Sequence, residues 1–198
     1  MTTTPGYRRS AGSRRGEARK QELLELVTED LAANGLVDFS LRRAARAAGT
    51  THKVLLYHFE GVEDLLRQAV FRLRQRRIDN AMAALGTPGE GLAAFVRTVW
   101  PTLVAEDSGL RRVLDQAMGL SMYDPERHGD LGREASGQYL PLLMAVCPAG
   151  WSPERKRGVA AMVLATLRGF LLERLVGDVA SAEAGFEELV RTLELLER

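Results

Sequence analysis

The stretch FSLRRAARAAGTTHKVLLYHFEGVEDLL, Phe39 to Leu66, decides how this chain is read. It encodes a short Ala-rich helix, a glycine turn and a second short helix with polar and aromatic side chains on its outer face. That is the sequence form of a helix-turn-helix, whose second helix enters the DNA major groove. Ser40 is placed to cap the first short helix, its hydroxyl accepting one of the orphan N–H groups. Leu41, Ala44, Ala45 and Ala48 fall at helical spacing and form one thin apolar stripe. Ala45 is small enough for two helices to cross closely. Gly49 follows at the point where the chain reverses and a positive φ is commonly required.

Thr50 or Thr51 then caps the second helix. Val54 and Leu55 are expected to face the first helix, leaving Thr51, His52, Lys53, Tyr57 and His58 largely outward. These side chains suit groove chemistry: hydroxyls for phosphates and bases, cations for phosphates and guanine edges, aromatics for thymine methyls and sugars. With Arg42 and Thr50 they make the candidate DNA-binding set. An ordinary amphipathic helical hairpin would show a similar pattern.

AAGTTHKVLLYHFEGVEDLL, residues 47–66, resembles the signature of the tetracycline-repressor (TetR) family of transcriptional regulators. A small-residue helix, an AG turn, a polar recognition helix, a Tyr-His-Phe end and an EDLL-type helix follow one another without gaps. The resemblance is specific across residues 22–70 and looser beyond. It implies DNA contacts from Thr50, Thr51, His52, Lys53, Tyr57 and His58, with Phe59 as a buried plug under the next helix. The chain departs from the family in having Ala44 where a bulkier aliphatic residue is usual, and Val62 where a lysine tends to hold a phosphate. Leu56 replaces a common tyrosine, leaving Tyr57 as the main aromatic reader.

The charge distribution agrees with a basic head. Residues 1–80 carry 15 Lys/Arg against 10 Asp/Glu, and residues 81–198 carry 12 against 16, so a net +1 hides an asymmetry. A basic first part and an acidic remainder suggest that only the former meets a polyanion. Six basic residues lie in the first twenty (Arg8, Arg9, Arg14, Arg15, Arg19 and Lys20), opposed only by Glu17. Residues 1–15 lack apolar periodicity and read as a disordered arm; such an arm either stays solvated or follows the DNA backbone or minor groove.

Outward from this centre the chain reads as all-α, about nine helices in total. A first helix is expected from Glu17 to Ala33, with Leu23, Leu24, Val27 and Leu31 inward and Asn34-Gly35 ending it. A long helix from Val62 to Leu85 spans about 35 Å, enough to join a DNA-binding head to a distant body. Its Arg72, Arg74, Arg76 and Arg77 read as a solvated face. GTPGEG at 86–91 is the clearest loop signal. Five more helices are expected near 91–105, 108–120, 131–147, 153–176 and 182–197, with loops around Tyr123-Asp124-Pro125 and Cys147 to Pro153. The division is an arm over 1–15, a helix-turn-helix domain over 16–64 and a helical ligand-binding and dimerisation domain over 65–198.

Residues 157–175, RGVAAMVLATLRGFLLERL, are apolar around most of the helix circumference, more than one monomer face requires. The last helix carries Phe186, Leu189, Val190, Leu193 and Leu196 on one stripe. The resemblance implies a homodimer through these two helices, about 153–197. Two-fold symmetry would let two recognition helices read half-sites about 34–36 Å apart or a multiple.

Large apolar and amphipathic residues concentrate in the second part. Phe95, Trp100, Met118, Met122, Tyr123, Tyr139 and Met144 are the candidates for a small-molecule effector chamber between helices, although such stripes are more often plain core. Met162 and Phe170 belong to the same group of large side chains. Arg168, inside an apolar helix, either anchors an anionic ligand group or pairs with a carboxylate such as Asp115 or Glu173, and the pairing is favoured. Pro101 should kink its helix beside Trp100.

Other classes are poorly supported. The composition, 45% hydrophobic and 27% charged, is that of an ordinary globular chain. The single Cys147, in an apolar run, reads as a buried structural thiol in a reducing compartment. No run of 18 apolar residues calls for a membrane span, and Arg8-Arg9 lacks the apolar core of an export signal. These features predict a cytoplasmic protein. His52, His58 and His128 give no metal-ligand geometry, and no cofactor fingerprint or catalytic motif occurs; no enzyme activity, metal or cofactor is expected. The reading is a homodimeric transcription regulator, foremost a repressor, released from double-stranded DNA by a small effector. The main alternative is a ligand-binding helical dimer whose DNA head is weakened by Val62 and Ala44. A helical adaptor that binds another protein is a third reading.

Overall fold

A computed structural model of the chain describes residues 13–83, 91–105 and 109–198. Among them lie nine α-helices: α1 (Arg14–Asn34), α2 (Leu41–Ala47), α3 (His52–His58), α4 (Val62–Ala83), α5 (Gly91–Val104), α6 (Gly109–Tyr123), α7 (Pro125–Ala145), α8 (Pro153–Val176) and α9 (Val179–Leu196). The chain is all-α, as its patterning predicts. The arm arginines Arg8 and Arg9, and the GTPGEG loop up to Glu90, lie outside the described residues.

The described residues form two compact units. The first contains residues 13–74 and 109–132; the second contains 75–83, 91–105 and 133–198. In the first, α1 starts at Arg14, three residues before the expected Glu17, because Ser13 caps it by accepting the Gly16 N–H. Arg14 and Arg15 are therefore helical. The helix ends where Gly35 takes a φ of 72° and returns its N–H to the Leu31 carbonyl, a conformation that costs glycine little. Leu23, Val27 and Leu31 are fully buried with Leu55, Leu65, Val70 and Val113. Each such side chain contributes about 1.5–3 kcal/mol by leaving water.

α6 completes this core. Gly109, its first residue, lies so near α1 that an added Cβ would overlap the Ala32 carbonyl oxygen. The Gln116 amide oxygen accepts the Leu36 N–H at 2.7 Å. The arginine-rich part of α4 is not the solvated face expected of it. Arg74 is buried and donates to the Leu131 carbonyl, while Arg72 pairs with Glu25 at 2.9 Å. Arginine stems bury readily when the guanidinium finds acceptors, and spacing alone does not reveal those acceptors.

The second unit packs α5, α8 and α9 around Leu92, Val96, Val163, Val190 and Leu193, all fully buried. Ser152 and Asp178 cap α8 and α9. Of the expected stripe on α9, Phe186, Leu189, Val190 and Leu193 are buried and Leu196 is exposed, since it belongs to the last turn. α7 begins at Pro125, six residues before the expected 131, so Asp124 alone separates it from α6. Proline suits a first helical position because it brings no N–H to leave unbonded, and Asp124 accepts the Arg127 N–H at 3.1 Å. No described helix is long and apolar enough to cross a membrane.

Candidate nucleic-acid interface and effector site

α2 and α3 form a tight helix-turn-helix. Ser40 caps α2 through the Arg43 N–H, and Thr51 caps α3 through the Val54 N–H. Between them Gly49 adopts a φ of 57° with open space where a Cβ would project. Ala44, Ala45 and Ala48 are buried beneath this turn. Leu55 and Phe59, one helical turn apart, plug α3 into the core, and Lys20 lies 5.4 Å from the Phe59 ring centroid. Phe59 thus occupies the buried position expected of it.

Thr51, His52 and Lys53 are exposed along the first turn of α3, Arg42 is exposed on α2, and Thr50 is half-buried. Thr50 to Lys53 thus lie on α3 and its approach, and Arg42 on the helix before it. Two expectations change. Val54 is exposed rather than turned inward, because Leu55 and Phe59 already supply the i, i+4 contact of a seven-residue helix. Tyr57 and His58 are half-buried rather than free, and their rings meet edge-to-face at 5.0 Å. Burial holds the His58 pKa below its ordinary value, reinforced by Arg19 and Lys20 and opposed by Glu17. At neutral pH the ring is the uncharged form, able to donate from one nitrogen and accept at the other.

The exposed face of α3 carries no acidic residue, and Val54 and Leu56 add apolar groups beside His52 and Lys53. Sequence patterning gives Leu56 no such place. It also misses the division of labour between the two arginines that open α2. Arg43 is a structural clamp: it donates to the Asp30 carboxylate at 2.7 Å and to the Val37 and Gly35 carbonyls, each at 2.8 Å. Its neighbour Arg42 sits about 100° further round the helix and faces solvent.

The start of α4 is acidic. Asp64 accepts the Glu60 N–H at 3.1 Å and also holds Arg67 and Gln68, while Glu63 accepts from Arg127 Nε at 3.0 Å. Hydrogen bonding from Arg127 lowers the Glu63 pKa. These charges line a polar cavity of about 160 Å³ with His128, Asp130 and Leu131. Val62 sits at this acidic helix start, which is a poor seat for a phosphate.

The residues named for an effector divide between the two units. Met118 is half-buried on α6, whereas Met122 and Tyr123, in its last turn, are 73% and 90% exposed. All three belong to the first unit. Phe95 and Trp100 are buried in the second unit. Trp100 stacks on Phe186 at 4.4 Å, meets Phe170 edge-on and donates its indole N–H to Glu183 at 3.0 Å. Tyr139, Met144 and Arg168 are half-buried on α7 and α8 of the same unit. Arg168 pairs with neither Asp115 nor Glu173, contrary to the favoured expectation. Asp115 faces Arg111 at 3.5 Å, and Glu173 accepts the Asp178 N–H at 3.2 Å. Arg168 instead donates to the Ser136 hydroxyl at 3.2 Å. Cys147 is buried and bonded to the Leu143 carbonyl at 3.3 Å, and burial pushes its pKa up.

No family model and no curated protein matches this chain. Solved structures do. A TetR-family transcriptional regulator from Cytophaga hutchinsonii superposes with a TM-score of 0.68 at 17% identity, over 92% of this chain and 96% of the other. A transcriptional regulator from Pseudomonas aeruginosa PAO1 gives 0.61 at 22% identity, over 96% and 99%. The multidrug binding protein EbrR, complexed with ethidium, gives 0.66 at 19% identity, over 88% and 98%. The fold of this chain is therefore one it has in common with TetR-family regulators.

Proposed function

We propose that this chain is a transcriptional regulator of the TetR family, a homodimer that binds a pseudo-palindromic operator and leaves it when a small effector binds. The single observation that carries this reading is α3: a short capped helix, anchored by Leu55 and Phe59, with His52 and Lys53 exposed and no acidic residue on it. Residues 16–64 serve as the DNA-binding domain and 65–198 as the effector and dimerisation domain. Thr50, Thr51, His52, Lys53, Tyr57 and His58, with Arg42, meet the two strands. Lys53 and Arg42 supply phosphate attraction, so affinity falls steeply with salt. The histidines, Tyr57 and the threonines give register and base preference.

The acidic start of α4 bears on the footprint. With Val62 in place of a cation and Glu60, Glu63 and Asp64 beside it, the contact to a phosphate there is absent. The interface rests on α3 and α2, and repression is the expected sign of regulation. The effector is an apolar or amphipathic molecule held in the second unit, near Tyr139, Met144 and Arg168. It releases DNA only through its difference in affinity for the two conformations.

The test is selection of genomic fragments from the source organism on the purified protein, at moderate salt with excess nonspecific competitor. A palindromic motif, with Lys53→Ala and Tyr57→Ala each weakening it by about 1–3 kcal/mol, is the expected result. Equal recovery of all fragments by a folded protein would overturn the regulator reading and leave a ligand-binding protein with a silent head.

A further inference from the structure

The second unit holds a half-buried positive charge whose hydrogen bonding is incomplete. Arg168 lies on α8 between Leu164 and Leu171, in the row of residues spaced three and four apart, and both leucines pack against the apolar core. Nη1 donates to the Ser136 hydroxyl, but Nη2 is buried with no hydrogen-bond partner. One turn of α7 beyond Ser136, the Tyr139 hydroxyl is likewise buried and unpartnered. The two side chains bear on each other electrostatically, and desolvation is the larger influence on the guanidinium. A buried guanidinium N–H and a buried phenol hydroxyl that lack acceptors are both costly, and a native protein rarely retains either without a use. Both groups lack the same thing: an oxygen acceptor bearing negative charge.

We infer that Arg168 and Tyr139 bind the carboxylate of an amphipathic acid whose hydrocarbon part lies among the apolar side chains of the second unit. The guanidinium Nη2–H and the phenol O–H each donate to one carboxylate oxygen. Ser136 holds the other arm of the guanidinium and so orients it. The inference rests on the effector reading above and narrows it to a monocarboxylate with an apolar tail. Two donors suit the two oxygens of a carboxylate, and a charge-assisted bond gains strength where water is excluded. A neutral ligand of the same shape would leave Nη2 unsatisfied.

The experiment compares decanoate with 1-decanol, which has the same chain without the charge, by isothermal titration calorimetry on the full-length protein. Decanoate should bind at least about tenfold more tightly, the factor that one charge-assisted hydrogen bond supplies. Arg168→Gln should lose about that factor for decanoate and leave 1-decanol within about twofold. Tyr139→Phe, which keeps the ring, should lose part of it. Arg168→Met should also raise Tm without ligand, because it removes a half-buried charge with a buried, unpaired N–H; a purely structural arginine would lower it. Equal affinities for acid and alcohol, unmoved by Arg168→Gln, would overturn the carboxylate site and leave the effector chamber standing. Binding of neither would overturn the chamber and the carboxylate site together.

Discussion

The Gln116 side chain of α6 accepts the backbone N–H of Leu36, at the turn where α1 ends, at 2.7 Å. A contact across 80 residues of sequence ties α6 to the helix that supports α3. α1 is the platform under Leu55 and Phe59, so a shift of α6 is felt at α3 through one hydrogen bond and the apolar packing around it.

Gln116→Ala removes the acceptor of that N–H and leaves it partly buried. The loss should be about 1–2 kcal/mol of stability, read as a lower urea midpoint with unchanged slope. If α6 conveys the effector signal, the variant should also need more effector for the same release of DNA. An unchanged midpoint would mean that water replaces the glutamine at no cost.

Two glycines of this unit separate strain from collision. Gly49 has a φ of 57° but open space around its missing Cβ, so Gly49→Ala should cost about 1 kcal/mol through backbone strain alone. At Gly109 no positive φ is involved, yet a Cβ would run into the Ala32 carbonyl, which is backbone and cannot rotate aside. Gly109→Ala should therefore force α6 off α1 and cost at least as much as typical overpacking, about 1–3 kcal/mol. Thermal melts of both variants decide the order. A Gly109→Ala protein as stable as the parent would show that α6 can slide without loss.

Much of the fold is legible in the sequence, and the errors have a common physical origin. Helix existence, the Ser40 cap, a threonine cap at Thr50 or Thr51 and the Gly35 and Gly49 stops depend on neighbours a few residues away, and pattern reading recovers them. The errors concern partners far along the chain. Arg74 reads as a solvated cation because the Leu131 carbonyl is invisible from position 74. Arg168 reads as half of an ion pair because a cation inside an apolar helix calls for a carboxylate, whereas the fold gives it Ser136. Val54 reads as inward because a stripe of apolar letters cannot say that a seven-residue helix needs only two anchors.

Acid should weaken folding and strengthen DNA binding through the same residue. Burial, with Arg19 and Lys20, holds the folded His58 pKa below the ordinary 6.5. As pH falls the unfolded chain takes up this proton first, so the contribution of neutral His58 is present above about pH 6.5 and is lost through the lowered folded value. Urea unfolding between pH 5 and 8 should show a smaller decline in His58→Gln than in the parent. A DNA phosphate near the ring would favour the proton, so operator affinity of the parent should rise over the same interval. Identical pH profiles for parent and variant in both assays would remove His58 from the interface.

The last prediction concerns the partner of α8. Leu172 and Leu175 are 53% and 52% exposed and lie three residues apart, on one side of the helix. Val176 and Val179, 76% and 46% exposed, continue the apolar surface toward α9. Side chains of this size left in water forgo about 1.5–3 kcal/mol each when fully exposed, and a second copy of the same surface would recover part of it. In the dimer reading, Leu172→Glu with Leu175→Glu places two like charges against their symmetry mates. Analytical ultracentrifugation at micromolar concentration should then show a monomer where the parent sediments as a dimer. Operator affinity should fall with it, because each half-site contact is made by one recognition helix and joint binding gains from the linkage. A double variant that remains dimeric would move the interface elsewhere, and a parent that is monomeric at that concentration would remove the two-fold operator from the proposal.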